Sequence, residues 1–152
     1  MSRRRQIEMS ADEVSAFLDE QRVVTCATQG PRGYPHLMPL WYLVRDASVW
    51  AWTYAKSQKV VNLERDPRAT LQVETGVEYQ ELRGVMFECD VTIHRDTPVV
   101  QAFGEELFVR YAGGDGSAHA EMVAAQAPKR VALEFHERRR ATWDHRKLGG
   151  VY

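Results

Sequence analysis

The residues from Val85 to Ile93 alternate along the chain, and every second one is apolar and suited to a buried face. A period of two is typical of a β-strand with one face in a core and the other toward solvent. The pattern predicts one long, half-buried strand. A strand of this kind belongs to a sheet that must cover its apolar face by packing against another layer or by closing on itself.

The signals on either side of this strand predict a mainly β protein with helices. Ser10 and Glu13 have the spacing of a capping box, Ser57 is placed to begin a short helix that Asp66 ends, and Thr97 with Pro98 predicts a third helix start. The predicted helices cover 11–21, 58–65, 98–112 and 118–127. The predicted strands cover 23–28, 37–44, 49–54, a segment from Ala69, 85–93 and 131–135, the last with an exposed or bulged continuation to Trp143. Strands outnumber helices and most turns are short, which favours an antiparallel β-barrel with helices packed outside it.

Length and composition predict a single domain. The chain has 152 residues, of which 44% are hydrophobic and 27% charged, the composition of one compact folded unit. There is no internal repeat and no linker-like composition. We therefore predict one domain over 1–152, with a loose arm at 1–9 and a polar tail at 144–152.

The charge balance argues against several classes of partner. A formal net charge of -1 provides no bulk positive field, so neither nucleic acid nor a membrane surface is an expected partner. No apolar run is long enough to span a bilayer, and Glu8 and Asp12 interrupt the N-terminal region where a secretory signal would be apolar. The expected location is the cytoplasm.

Self-contained catalytic chemistry is not indicated by the sequence. The five histidines show no metal-ligand spacing, Cys26 and Cys89 lie far apart and are expected to be reduced core residues, and no nucleophile elbow or phosphate-binding glycine loop is present. We predict no metal site and no catalytic side chain.

One helix start carries an unusual charge pattern. Lys56 and Lys59 flank Ser57 at the predicted start of the short helix, where free backbone N–H groups favour acidic residues instead. Two interpretations are open at this point. Either both lysines are solvated on the surface, or an anion such as a phosphate lies among the ammonium groups, the hydroxyl and the amides.

The same segment resembles a known family. The runs 53–59 and 62–71 resemble the phosphate-binding strand-to-helix segment of the pyridoxamine 5'-phosphate oxidase-like split-barrel flavoproteins. In that family a Thr and a Ser-Arg-Lys or similar triplet grip the cofactor phosphate, and an Asp/Asn-Pro-Arg turn leads into the next strand. The order of elements is similar over nearly the whole chain. The closing run 141–150 resembles the C terminus of the actinobacterial branch that uses the deazaflavin coenzyme F420.

Carried over by position, the resemblance implies a set of cofactor-binding residues. They are Met38, Pro39 and Leu40 along the edge of the ring, Trp52 and Thr53 beside the linker, Lys56, Ser57, Gln58 and Lys59 at the phosphate, and Trp143 over the ring or the substrate pocket. Without the resemblance, Trp143 would be expected to pack at a barrel end. The run 38–41 would be an ordinary core strand in which Pro39 removes a ladder donor.

The resemblance also implies a cofactor, an assembly and a reaction. Gln58 stands where the oxidases usually have Arg, which removes a two-pronged phosphate partner and favours coenzyme F420 over FMN. Spread positive charge from Lys56 and Lys59, with Arg65 or Arg68, suits the longer anionic tail of F420. We expect a homodimer with cofactor sites at the subunit interface that transfers hydride between F420 and a small unsaturated molecule. An FMN-dependent oxidoreductase and a non-catalytic flavin, deazaflavin or tetrapyrrole carrier remain the alternatives.

Overall fold

The computed structural model describes residues 2–150 and contains one seven-stranded antiparallel sheet in the order β2-β1-β5-β6-β7-β4-β3. The strands are β1 Val24–Gln29, β2 Pro35–Leu40, β3 Leu43–Arg45, β4 Ser48–Tyr54, β5 Arg68–Thr75, β6 Arg83–His94 and β7 Arg130–Asp144. The predicted alternating strand is β6, which lies at the centre of the sheet and carries its apolar side chains inward. The mainly β prediction is confirmed.

The connection between β2 and β3 makes the sheet curl into a barrel. These strands are consecutive in the chain but lie at opposite edges of the sheet, and only Trp41 and Tyr42 separate them. Because a residue spans at most about 3.6 Å, the two edges must come close together. They meet without pairing among the described residues, so the barrel is split along this line.

This break corrects the predicted single strand over 37–44. Tyr42 is fully buried, and its hydroxyl donates to the carbonyl of Leu18 at 2.6 Å. Its backbone N–H donates to the hydroxyl of Tyr111 at 3.0 Å instead of to a neighbouring strand. A side chain anchored under a helix therefore turns the chain where hydropathy alone indicates continuous extension.

The helices lie outside the barrel and at its ends. They are α1 Arg3–Gln6, α2 Ala11–Glu20, α3 Gln58–Arg65, α4 Thr97–Ala112 and α5 Ala120–Gln126. The capping box of Ser10 and Glu13 is present, and α3 stops before Asp66 as predicted. Asp96, not Thr97, is the residue before α4. The last predicted helix is α5 flanked by short 3-10 turns.

Two apolar cores result from the two faces of the sheet. Inside the barrel, Leu71, Val85 and Leu133 pack with Phe17 of α2 and Val60 of α3. On the outer face of β4 and β7 a second cluster forms under α4 and α5, consisting of Trp52, Val100, Phe103, Leu107, Val123, Ala127 and Ala132. The side chains of β4 therefore alternate between the two cores.

The long strand β7 carries the predicted irregularity. Its pairing with β6 shifts between Glu88 and Cys89, so that Glu88 faces Arg139 and Cys89 faces Glu137. Residues 138–140 at this bulge are exposed. A bulge of this kind bends the strand, which is how one continuous strand contributes to both ends of the barrel.

The two termini are held against each other. The backbone N–H of Asp144 donates to the carbonyl of Ile7 at 2.7 Å, and the Lys147 ammonium contacts the Glu8 carbonyl and the Glu13 carboxylate, each at 2.7 Å. Hydrogen bonds from Arg146 lower the pKa of the buried Asp144 carboxyl. Residues 1, 151 and 152 of the predicted arm and tail lie outside the described residues. Within 2–150, no helix is long and apolar enough to cross a membrane.

The contact between Gly84 and Trp143 can be tested directly. The two residues face each other across β6 and β7, and a Cβ atom on Gly84 would lie 2.6 Å from Cε2 of the indole. We expect Gly84→Ala to lower the free energy of unfolding by about 1–3 kcal/mol through overpacking. Urea denaturation followed by circular dichroism measures the change. In a Trp143→Leu background the same substitution should cost much less; an equal cost in both backgrounds would contradict the contact.

Candidate functional site

The end of β4 and the start of α3 form the polar half of the candidate site. Ser57 has the extended backbone of a residue that precedes a helix, but its side chain makes no capping hydrogen bond. Its hydroxyl lies 3.5 Å from the hydroxyl of Thr53. The first turn of α3 contains no acidic residue. The first backbone N–H groups of a helix have no partner within it, so this end of α3 offers donors and no negative charge.

Lys59 is the most informative residue of this half. It is only 7% exposed, and its ammonium donates to Thr53 Oγ1 at 3.0 Å. Burial lowers its pKa, and the charge of Arg130 lowers it further. No carboxylate in residues 2–150 forms an ion pair with it. Burying a cation without a carboxylate partner costs folding free energy. An anion bound from outside the chain would offset that cost.

The structure gives the two lysines different surroundings. Lys56 is exposed, as the surface interpretation requires. For Lys59 the surface interpretation is wrong, because its side chain runs inward toward Thr53 and Cys26. The periodicity of a short helix could not reveal this, since the burial depends on how α3 lies across the end of the barrel.

A buried polar network holds α3 in place. Asn62 is fully buried; its amide donates to Thr28 Oγ1 at 3.0 Å and its oxygen accepts from Gln58 Nε2 at 2.8 Å. The network joins α3 to β1 and ties the exposed Gln58 side chain to its own helix. Asn62 was not among the predicted site residues, because an Asn on a short helix has no sequence signal that separates a buried anchor from a solvated side chain.

The apolar half of the site is a cavity of about 380 Å³ beside the end of β4. Its lining contains four aromatic rings and only two strongly polar side chains, and consists of Pro39, Leu40, Trp41, Trp52, Tyr54, Phe108, Met122, Gln126 and Arg130. The predicted ring-edge residues Pro39 and Leu40 thus meet the predicted linker residue Trp52. Met38 precedes them on β2 and is 41% exposed.

Pro39 needs no ligand to explain its place in a strand. β2 is an edge strand that pairs only with β1, and a proline is tolerated where no neighbouring strand requires its N–H. The expectation of a core strand over 38–41 is corrected accordingly. The outer edge of β2 leaves main-chain groups available beside the cavity.

Arg130 is the functional candidate that sequence reasoning missed. Its guanidinium lies over the rings of Trp52 and Tyr54, with its central carbon 4.5 and 4.1 Å from their centroids. Its Nε is buried without a hydrogen-bond partner, and so is Oε1 of Gln126 in the same cavity lining. Only the pairing of β7 with β4, which sets Arg130 opposite Tyr54, reveals this position.

The structure does not bring Trp143 to the other predicted residues. Its indole lies against Gly84 near the end of β7, whereas Arg130 begins that strand. Within one chain, Trp143 packs at a barrel end. Thr53, Lys56, Ser57, Gln58 and Lys59 lie together around the start of α3.

A larger cavity of about 560 Å³ lies elsewhere, but its charges are already paired. Arg68 pairs with Asp66 at 2.8 Å, and Arg138 pairs with Asp90 at 2.5 Å. It contains none of the predicted site residues. The smaller cavity combines aromatic walls with unpaired positive charge, and it is therefore the better candidate for an anionic aromatic ligand.

Other reactive groups do not form a centre. Cys26 and Cys89 are free and buried, and burial raises the pKa of each thiol to about 12. In the part of the chain that the structure describes, no three His, Cys, Asp or Glu side chains are grouped so as to hold a metal ion.

Comparison with known proteins places the chain in a family. Residues 10–144 match the family described as pyridoxamine 5'-phosphate oxidase. A conserved hypothetical protein from Mycobacterium tuberculosis is 41% identical, with a TM-score of 0.91 over 100% of this chain and 95% of that one. Comparison with curated proteins gives no significant match.

More distant structures share the fold. An F420 reductase is 20% identical, with a TM-score of 0.66 over 84% of this chain and 94% of that one. An FAD-binding protein from Mesorhizobium loti is 17% identical, with a TM-score of 0.64 over 88% of this chain and 92% of that one. The sheet order, the family match and the 41% identical relative agree: this chain belongs to the pyridoxamine 5'-phosphate oxidase family and has its split-barrel fold.

Proposed function

We propose that this chain is an oxidoreductase that binds the deazaflavin coenzyme F420 and uses it to transfer hydride to or from a small unsaturated molecule. The observation that carries the proposal is Lys59, a buried ammonium without a carboxylate partner that donates to Thr53, the neighbour in β4 of Trp52 in the aromatic cavity. The fold is shared with an F420 reductase and an FAD-binding protein. F420, like a flavin mononucleotide, joins a flat ring to a phosphate through a short chain.

The residues around α3 fit the phosphate. Lys59 supplies a buried charge, Ser57 a hydroxyl, and the first turn of α3 its free amides. Such donors at a helix N terminus bind phosphate because they combine partial positive charge with hydrogen bonds. Thr53 holds the Lys59 ammonium in place at 3.0 Å.

The neighbouring cavity fits the ring. Trp52 and Leu40 provide apolar walls, and the free outer edge of β2 provides main-chain donors and acceptors. The lining contains no Asp, Glu or His among the described residues. When bound, the cofactor would supply the hydride chemistry; the protein binds, orients and excludes water.

The side chain at position 58 supports F420 over FMN. Gln58 donates to Asn62 at 2.8 Å and presents an amide where a guanidinium would grip a phosphate from two sides. Arg68, considered above as part of a spread positive surface, is paired with Asp66, and Arg65 donates to the carbonyl of Gln29 at 2.6 Å. Of the four cations considered for the anionic tail, Lys56 and Lys59 remain without a carboxylate or carbonyl partner among residues 2–150.

We further propose that two copies form a homodimer that completes each site. Apolar side chains on and next to β2 are exposed, namely Leu37, Met38 and Trp41 at 57%, 41% and 46%. They adjoin the cavity and the unpaired edge of β2, a surface that a second copy would cover. In this arrangement Trp143 of the partner subunit, remote within one chain, is available to cover the ring.

The first prediction from the proposed function concerns the cost of burying the Lys59 charge. Because Lys59 has a lowered pKa when folded and 10.5 as its ordinary value, the folded chain loses this proton first as pH rises. Without an anion, stability should therefore increase with pH as 10.5 is approached. Lys59→Met should abolish that increase and raise the free energy of unfolding at pH 7 by about 1 kcal/mol or more in chloride.

Inorganic phosphate should reduce or reverse the stability advantage that Lys59→Met has over the wild type in chloride. At matched ionic strength, phosphate should stabilise the wild-type chain and leave Lys59→Met nearly unchanged, as measured by thermal unfolding. Lys129→Met is the matched control, since Lys129 is exposed and does not lie at the start of α3, and its effect should be small. If phosphate stabilises Lys59→Met and the wild type equally, the anion does not bind at Lys59.

The second prediction concerns the cofactor. Titration of the cofactor-free chain at matched ionic strength should give tighter binding of F420 than of FMN. Lys59→Glu should weaken F420 binding by about 2 kcal/mol or more, because it removes a charge-assisted contact and adds repulsion. Submicromolar FMN binding with no detectable F420 binding would overturn the choice. Turnover of the reduced cofactor with enones, quinones or biliverdin separates an enzyme from a carrier.

The third prediction concerns assembly. Sedimentation should show a dimer, and Met38→Glu should favour the monomer and weaken F420 binding, because it places a charge in an apolar interface. Val109→Glu on α4 is a matched control, since Val109 is 40% exposed and Met38 is 41% exposed. A stable wild-type monomer with full cofactor affinity would rule out the shared site.

A further inference from the structure

We propose that Arg130 is an anchor for a carboxylate of the substrate, so that the cavity selects flat, largely apolar molecules that carry an acid group. This inference rests on the proposed function, because it treats the cavity as the place where a small molecule meets the cofactor. It concerns a residue that neither the charge pattern at α3 nor the family resemblance indicated.

The position of the guanidinium is fixed by two aromatic rings. Arg130 follows a 3-10 turn that ends at Lys129 and begins β7 opposite Tyr54. Its central carbon lies 4.5 Å from the Trp52 centroid and 4.1 Å from the Tyr54 centroid. Cation–π contacts hold a guanidinium while leaving its N–H groups free to donate. The aromatic pair thus orients the group without neutralising it.

Arg130 has no carboxylate partner among residues 2–150, unlike most of the arginines there. Nine other arginines in residues 2–150 pair with carboxylates: Arg45, Arg68, Arg83, Arg95, Arg110, Arg138, Arg139, Arg140 and Arg146. Arg130 is half-buried, lies near the cationic Lys59 and has a buried Nε without a partner. Desolvation and repulsion both disfavour this arrangement unless an oxyanion is bound.

The other residues that line the cavity indicate which kind of substrate it would accept. Trp41, Phe108 and Met122 supply apolar walls from the β2–β3 connection, α4 and α5. Gln126 is the only other strongly polar side chain in the lining, and its unpaired Oε1 can accept from a ligand N–H or hydroxyl. Flat apolar walls with one cation at one end are suited to an aromatic or conjugated acid.

The experiment compares two bicyclic probes that differ in charge. Binding of 2-naphthoate and of neutral 2-naphthamide to the full chain is measured by calorimetry and by quenching of tryptophan fluorescence. The wild type should prefer the carboxylate by about tenfold or more, the size expected for a charge-assisted contact. Arg130→Met should reduce the preference to about twofold or less, and Arg130→Lys should retain part of it, since it keeps the charge but loses the flat stacked group.

The control is Lys129→Met, which removes an adjacent exposed cation that does not line the cavity. It should leave the preference for the carboxylate unchanged, and thermal unfolding confirms that each variant is folded. If Arg130→Met keeps the wild-type preference, or if Lys129→Met loses as much of it as Arg130→Met does, Arg130 is not the carboxylate anchor.

Titrating the same variants with F420 and FMN keeps this inference separate from the proposed function. Suppose that the wild type binds neither cofactor while its preference for naphthoate still depends on Arg130. That result would reject the cofactor proposal and leave Arg130 as an acid-binding residue. A tenfold loss of cofactor affinity in Arg130→Met with an unchanged probe preference would instead assign the guanidinium to the cofactor and overturn the inference.

Discussion

The two-residue connection between β2 and β3 is the constraint on which the rest of the structure depends. Because Trp41 and Tyr42 must join opposite edges of the sheet, the sheet has to curl until those edges meet. The anchored hydroxyl of Tyr42 holds the connection against α2. Closure brings the end of β2 next to the end of β4, and the aromatic cavity lies at that junction.

Two cations at this junction, Lys59 and Arg130, have no carboxylate partner among residues 2–150. Most arginines pair with nearby acids, including those that line the larger cavity. Lys59 and Arg130 instead approach the end of β4 from its two faces, one through Thr53 inside the barrel and one over Trp52 and Tyr54 outside it. A folded chain tolerates two such groups at a cost in stability that a bound anion would offset.

The cavity at this junction offers few reactive side chains. The cavity is lined by aromatic and aliphatic groups with one amide and one guanidinium, and both buried thiols are protonated at neutral pH because burial raises their pKa to about 12. Proteins that lend a scaffold to a redox cofactor need shape, orientation and dryness more than reactive residues. The proposed homodimer would complete that enclosure at the exposed edge of β2.

Periodicity and local signals in the sequence determined the elements: the alternation over 85–93, the capping box at Ser10 and the stop at Asp66 each depend on neighbours within a few residues, and each is confirmed. The sequence resemblance also indicated the family and the segment around Lys59. Only the tertiary structure decided that Lys59 is buried, that Arg130 joins the cavity and that Trp143 lies apart from both. These facts depend on strand order and on how α3 crosses the barrel end. Such contacts join residues far apart in the chain, where neither hydropathy period nor motif spacing carries information.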